Sequence, residues 1–256
     1  MPVAHDQGIC IRHWDFSETS QTVTLFGRAS GLVRGLAKGA RRERGAFDGG
    51  IDLLSRGEFG VIRSSRKELA TLTEWDLLEV FPRLRTDLHA NRAAFYMADV
   101  LGRMLAPDDP HPALYDRLAS SLRSLGGDGP EGAPDGAASL LAFQWSLLGE
   151  TGHRPDIDAA ADAGPEAVEY LPDAGTFTEP GPGGPAGARW KVRRSTVAQL
   201  RACEAGTHAE AAPGSVERAN RFLAACVRHV LGTEPPTMAM LFGPPHAVIP
   251  SEARSR

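Results

Sequence analysis

Up to Pro82 the apolar residues come in short runs with a period near two. The runs are "ICIRHW" from Ile9, "QTVTLF" from Gln21, "GLVRGLAKG" from Gly31, "EFGVI" from Glu58 and "ATLTEWDLLEV" from Ala70. They are rich in β-branched and aromatic residues and are separated by Gly, Ser and Thr, the pattern of strands joined by turns. Five short strands predict a small barrel. Beyond Pro82 the period lengthens: Leu84, Leu88, Phe95, Leu101 and Leu105 recur at helical spacing. "PHPALYDRLASSLRSL" then puts Pro112 in a first turn and Leu114, Leu118, Leu122 and Leu125 on one face. "LLAFQWSLLGETG" reads as a third helix, and "SVERANRFLAACVRHVLG" as a fourth, with Ser215 as its N-cap and Gly232 as its stop. "GGDGPEGAPDG" near residue 126 and the stretch 155–188 interrupt the helices, and their composition is expected to build no core. The pattern therefore predicts an α+β chain with no internal repeat: a β-barrel over residues 1–82, then an α-helical domain over 83–256 with a long irregular insertion.

Composition supports a globular reading, with 42% hydrophobic residues in 256. There is no apolar run of membrane-spanning length, and "MPVAHDQG" lacks the layout of an export signal, so a cytosolic protein without membrane contact is expected. Cys10, Cys203 and Cys226 are too few and too far apart for a disulfide framework. The net charge of −4 conceals a strong polarity along the chain. Arg28 to Lys67 holds ten Lys/Arg against four Asp/Glu, whereas 149–188 holds eight acids and only Arg154 as a base. From Arg189 onward the balance is basic again, ten against five.

The basic run "GRASGLVRGLAKGARRERGAFDG", Gly27 to Gly49, has two readings. One is a solvated loop that keeps a hairpin soluble. The other is a phosphate-facing surface made by Arg28, Arg34, Lys38, Arg41, Arg42 and Arg44, joined by Arg63, Arg66 and Lys67, with Gly31, Gly35, Gly39 and Gly45 letting the backbone come close to phosphates. Trp14, Phe26, Phe47 and Phe59 are the candidates for base stacking, although alternating aromatics in short strands usually face inward. A second cluster, "RWKVRR" from Arg189 to Arg194, is an extension of that surface, a receiver for a partner's acidic tail, or only a charged helix start.

Catalytic signatures are missing. "GDGPEG" at Gly127 formally fits G-x-G-x-x-G but follows a helix and contains a proline where the turn would need an amide. There is no G-x-x-x-x-G-K-[ST], H-E-x-x-H or G-x-S-x-G, and the acids of 149–188 sit in a low-complexity setting. No catalytic residue, cofactor or metal is expected. Cys203, His208, Cys226 and His229 superficially resemble a ligand set, but Cys226 fits the apolar face of its helix with Phe222, Leu223 and Val230.

Three blocks carry a resemblance: "SETSQTVTLFGRASGLVRGLAKGARR", "LATLTEWDLLEVFPRLRTDLHANRAAFYMADVLGRML" and "HPALYDRLASSLRSL", with "RFLAACVRHVLGTEPPTMAML" near the end. Together they resemble the bacterial RecO family over nearly the whole chain. The resemblance implies an N-terminal OB fold, a helical C-terminal domain and a non-enzymatic recombination mediator. Such a mediator binds single- and double-stranded DNA, anneals complementary strands, contacts RecR and the acidic tail of single-strand binding protein, and indirectly loads RecA; a cytoplasmic, nucleoid-associated location goes with it. Many members carry a four-cysteine zinc module after the motif that here reads "LLGETGHRP", and between Asp156 and Arg189 this chain has no cysteine. That leaves either an unfolded insertion or a different local fold. An alternative of another class is a protein-interaction scaffold whose barrel is structural and whose helical domain docks partner peptides.

Overall fold

Alternation of inward and outward side chains resolves the first eighty residues into β1 (Ala4–Asp15), β2 (Gln21–Gly27), β3 (Gly31–Ala37), β4 (Arg56–Ile62) and β5 (Ala70–Glu79). The structure is a computed structural model and describes residues 2–42, 45–47, 49–63, 68–127, 136–160, 164–180, 187–207 and 214–243. The strands close into a barrel in the order β1-β2-β3-β5-β4, the only parallel pairing being β3 with β5. The long β1 serves two neighbours, pairing with β4 through its first half and β2 through its second, with an irregularity between Cys10 and Arg12. This is the five-stranded OB-type barrel that the sequence pattern and the resemblance predict.

Inside it Cys10, Val23, Leu25, Val33, Phe59, Val61, Leu72 and Trp75 form one buried cluster. Burial in that cluster pushes the Cys10 thiol up to about 12, so it is a packing group rather than a reactive one. Ala40, Phe47 and Ile51, from the connection between β3 and β4, belong to the same cluster. The connection is also tied by hydrogen bonds from the Trp75 amide to the Ala46 carbonyl (2.8 Å) and from the Ile51 amide to the Gln21 side chain (3.0 Å).

A 3₁₀ turn at Pro82–Arg85 leads to α1 (Leu88–Met104) and α2 (Pro112–Gly126). Asp87 caps α1, accepting from the amides of His89 and Ala90, and Gly127 ends α2 in a left-handed conformation. Leu114, Leu118, Leu122 and Leu125 are buried as the spacing predicts. The face expected for the first helix needs correction, because Leu88 is 63% exposed and Phe95 38%. The buried side of α1 is made by Ala90, Ala93, Ala94, Tyr96, Met97, Val100 and Leu101. Alanines let the helix approach its neighbours closely, so the seam runs along small residues that a search for large apolar ones passes over.

Both helices pack on the outside of the barrel. Ile11 lies against Gly102, and Phe26, fully buried on an outward position of β2, meets Tyr115 at 5.9 Å between ring centroids. A charged clamp adds to this: Glu79 at the end of β5 accepts from Arg56 of β4 (2.7 Å) and doubly from Arg123 of α2 (2.6 and 2.8 Å). Burial alone would raise the Glu79 carboxyl, but the bonds from Arg123 and Arg56 outweigh it and hold it below the ordinary range. Asp116, bonded by Arg28, and Asp87, bonded by the Ala90 amide and Arg83, are lowered as well. A carboxylate lowered in the folded state contributes stability above its unfolded value, near 4, and loses it as pH falls through its folded value. Thermal melts are therefore expected to drop steeply below about pH 4. Glu79→Gln is expected to cost about 1 to 3 kcal/mol at neutral pH and to flatten that acid branch; an acid branch as steep as the wild type's would show that Glu79 does not drive it.

Two compact units divide at Gly136, Met1–Gly136 and Ala137–Arg256, so α1 and α2 belong with the barrel although the change from strands to helices falls near residue 82. In the second unit α3 (Gly136–Glu150), α4 (Arg194–Glu204), α5 (Ser215–Leu231) and α6 (Pro236–Phe242) accompany a sheet of β6 (Ala167–Leu171), β7 (Thr176–Thr178) and β8 (Trp190–Arg193) in the order β7-β6-β8. The expectation that 155–188 builds no core is corrected here. Val168, Tyr170, Phe177 and Val192 are buried, and Tyr170 packs on Phe177 (4.9 Å) and edge-on to Phe222 of α5 (5.0 Å). Three strands of three to five residues, spaced by Pro and Gly, carry too little local periodicity to be read as a sheet, yet their aromatics find α5 as a partner. Ser215 also departs from its expected role: Gly214 occupies the N-cap position and the Ser215 hydroxyl donates to Gln199 at 3.1 Å. Gly232 does end α5, with φ 66°.

Candidate nucleic-acid interface

Four of the described basic residues lie beyond the two ends of one strand, β3, and Arg34 lies within it. Arg28 sits in the β2–β3 turn, whereas Lys38, Arg41 and Arg42 follow β3. Seven residues of strand at about 3.3 Å each separate the two groups by roughly 20 Å. Arg44, Arg66 and Lys67 lie outside the described residues, as does most of "GDGPEG".

Each described cation has its own electrostatic setting. Arg28 is bound in fork geometry to Asp116 of α2, both contacts at 2.9 Å, and so helps to dock that helix. Arg34 projects outward from β3 and approaches Glu68 at 3.5 Å. Arg63 pairs with Asp108 and also donates to the Ser30 carbonyl. Arg41 contacts Asp15 at 2.5 Å with both side chains about half exposed. Lys38 and Arg42 are exposed and make no ion pair among the described residues.

The turn that carries Lys38, Arg41 and Arg42 is held in place by what surrounds it. Ala40 is fully buried between Gly39 and Arg41, Gly39 takes φ 70°, and the Arg42 amide closes onto the Gly39 carbonyl at 3.1 Å. The β1–β2 hairpin is stitched to the same turn: the Arg41 amide donates to the Thr19 carbonyl (3.1 Å) and the Gly39 amide to the Ser20 hydroxyl (3.2 Å). The described part of the loop is therefore a fixed rim at one end of the barrel, with its apolar residues inside and its cations outside. A backbone already fixed has little further freedom to lose when an anionic chain lies across its cations.

Not every glycine of the run serves an approach to phosphate. At Gly31 the close neighbour is the backbone of Asp109, in the loop after α1, and at Gly35 it is the side chain of Leu72. Of the four aromatics considered, Phe26, Phe47 and Phe59 are buried and Trp14 is 52% exposed. Phe16, 63% exposed in the same hairpin, is a residue that the period-two search missed, because it lies one position past β1 in "DFSETS".

In the second unit, the cluster from Arg189 to Arg194 spans β8 and the start of α4. Arg189 pairs with Glu169 (2.9 Å) and Arg194 with Glu179 (2.7 Å), leaving Lys191 and Arg193 exposed. The cysteine and histidine set does not assemble among the described residues. Cys226 is buried beside Tyr170 and pushed up to about 12 by burial, and His229 lies 3.2 Å from Asp173, while His208 is outside the described residues. No three His, Cys, Asp or Glu side chains converge as metal ligands among the described residues, and no described helix is long and apolar enough to cross a membrane.

Known proteins resemble this chain in sequence. Residues 1–81 match the family described as recombination protein O N terminal, and residues 85–239 match recombination protein O C terminal. A DNA repair protein RecO of Rhodopirellula baltica is 36% identical over 159 residues, covering 62% of this chain and 57% of the relative. That of Desulfitobacterium hafniense is 30% identical over 179 residues (68% and 63%), and that of Geobacter sulfurreducens 32% over 170 residues (66% and 65%). The alignments thus span about three fifths of the length of these curated relatives. With both halves matched in order, and the break between them falling where the barrel gives way to helices, the chain belongs to the recombination protein O family.

Proposed function

We propose that this chain acts in DNA repair as a recombination mediator without catalytic chemistry of its own. The observation that carries the reading is the fixed rim of Lys38, Arg41 and Arg42 at the end of an OB-type barrel, in a chain of this family. Cations held on such a rim neutralise backbone phosphates and release counterions, so binding is largely independent of sequence and steeply dependent on salt. Two strands bound on one neutralised surface repel each other less, which favours annealing of complementary strands. Arg34 extends the surface along β3, and the charge pattern of the sequence adds Arg44, Arg66 and Lys67 as further phosphate contacts. In the same proposal the protein meets RecR and the acidic tail of single-strand binding protein, assists RecA indirectly, and works in the cytoplasm at the nucleoid.

The test is to titrate the purified protein into labelled complementary oligonucleotides, bare and coated with single-strand binding protein, and to follow duplex formation at several salt concentrations. Acceleration without ATP that fades as salt rises is the expected result. No retention on single-stranded DNA and no acceleration at low salt would overturn the reading and favour a protein-interaction scaffold.

A further inference from the structure

We propose that Trp14 and Phe16 form a base-stacking station beside the basic rim, and that this station makes the surface prefer unpaired nucleic acid to duplex. The inference rests on the nucleic-acid reading above and adds the part of the ligand that phosphate contacts cannot recognise.

Trp14 and Phe16 are the two large aromatics left exposed on the β1–β2 hairpin, at 52% and 63%. They sit two positions apart, Trp14 near the end of β1 and Phe16 in the bend one residue past it. Asp15, between them, binds Arg41 at 2.5 Å, and the hairpin's Thr19 and Ser20 are hydrogen-bonded to the turn that carries Lys38 and Arg42. Trp14 stands in register with Thr22 of β2, which stands in register with Leu36 of β3, a partly buried outward row that continues the platform across the barrel. The buried cluster of the barrel is built with Phe47, Phe59 and Trp75, and neither of these two rings belongs to it.

The chemistry of the pair selects its occupant. An exposed ring beside cations suits a flat π-surface attached to an anionic backbone, and a nucleobase with its phosphate is that combination. The described turn and hairpin carry Lys38, Arg41 and Arg42 against Asp15, which binds Arg41, and Glu18, so the local balance is positive and disfavours a basic peptide, while a nucleic acid offers both the flat rings and the anionic groups that this surface suits. In a duplex the base faces are already stacked, so the rings gain nothing there. In a single strand each base is free to leave its neighbours and stack on protein.

The experiment compares the wild type with Trp14→Ala/Phe16→Ala in equilibrium binding to three labelled probes of equal length at fixed salt: a thymidine single strand, the same backbone with abasic sites, and a duplex. Both side chains are exposed, so the variant is expected to keep the wild-type melting temperature. The wild type should bind the thymidine strand about tenfold or more tightly than the abasic strand. The double variant should lose that factor on the thymidine strand, change little on the abasic strand and the duplex, and keep the salt slope. Trp14→Phe/Phe16→Tyr should restore most of it. Equal affinity of the wild type for thymidine and abasic strands, or equal losses by the variant on all three probes, overturns the stacking station while leaving the phosphate rim standing. Wild-type protein that binds none of the three probes overturns the nucleic-acid reading itself.

Discussion

Gly31→Ala is expected to destabilise the first unit by about 3 kcal/mol or more, although the substitution adds one methyl group at the first residue of a strand. Two costs add. Gly31 has φ 66°, a region where a Cβ costs about 1 to 2 kcal/mol. A Cβ built there also falls within 2.6 Å of the Asp109 backbone nitrogen and carbonyl carbon, an overlap that neither backbone can relieve by a rotamer change. Overlaps of that kind cost about 1 to 3 kcal/mol. The loop cannot simply step aside, because Leu32 and Pro107 form a bridge, the Asp108 amide donates to the Leu32 carbonyl at 3.2 Å, and Arg63 pairs with Asp108. The same basic run supplies the control: a Cβ at Gly45 meets nothing within 4 Å, so Gly45→Ala should be close to neutral. Melting temperatures decide the matter, with a drop of roughly 10 °C expected for Gly31→Ala. Similar melting points for the two variants would show that the Gly31–Asp109 approach does not hold the loop.

That pair of glycines shows where local sequence is informative. The five strands and the apolar face of α2 were legible because each is specified by its own alternation or its own leucine spacing. The seam of α1 was not, because it depends on alanines whose importance comes only from what lies opposite them. The sheet formed by β6, β7 and β8 was hidden for a related reason: Tyr170 and Phe177 look stranded between prolines and acids until Phe222, some fifty residues later, closes on them. For the candidate site the sequence showed which residues are cationic but not which cations are already matched. Asp116 lies 88 positions from Arg28, and no rule of spacing connects them. Asp15 and Arg41 are likewise brought together only by the hairpin and turn that meet at the end of the barrel.

Those pairings separate the cations of the basic run into groups with opposite expected effects. Replacing Lys38, Arg41 and Arg42 together by alanine removes three charges from the rim. Lys38 and Arg42 make no ion pair among the described residues whereas Arg41 is engaged by Asp15, so two to three phosphate contacts are at stake and the slope of log K against log salt should fall by about 1.4 to 2.7, since each contact contributes about 0.7 for a single strand and 0.9 for a duplex. Extrapolated from 1 M salt, where the electrostatic contribution is nearly gone, the same slopes make the loss at 0.1 M about 25- to 500-fold. Arg28→Ala is the contrast. Its charge is engaged with Asp116, so the substitution should lower the melting temperature by loosening α2 from the barrel while shifting the salt slope by well under the ~0.7 of one phosphate contact. The two variants therefore exchange signatures: the triple variant is stable and binds weakly, and Arg28→Ala is less stable and binds almost normally. Measuring binding isotherms at four or five salt concentrations alongside thermal melts reads both. A triple variant with unchanged affinity and slope would remove the rim as the phosphate contact, and an Arg28→Ala loss as large as that of Arg42→Ala alone would move the contact to the opposite end of β3.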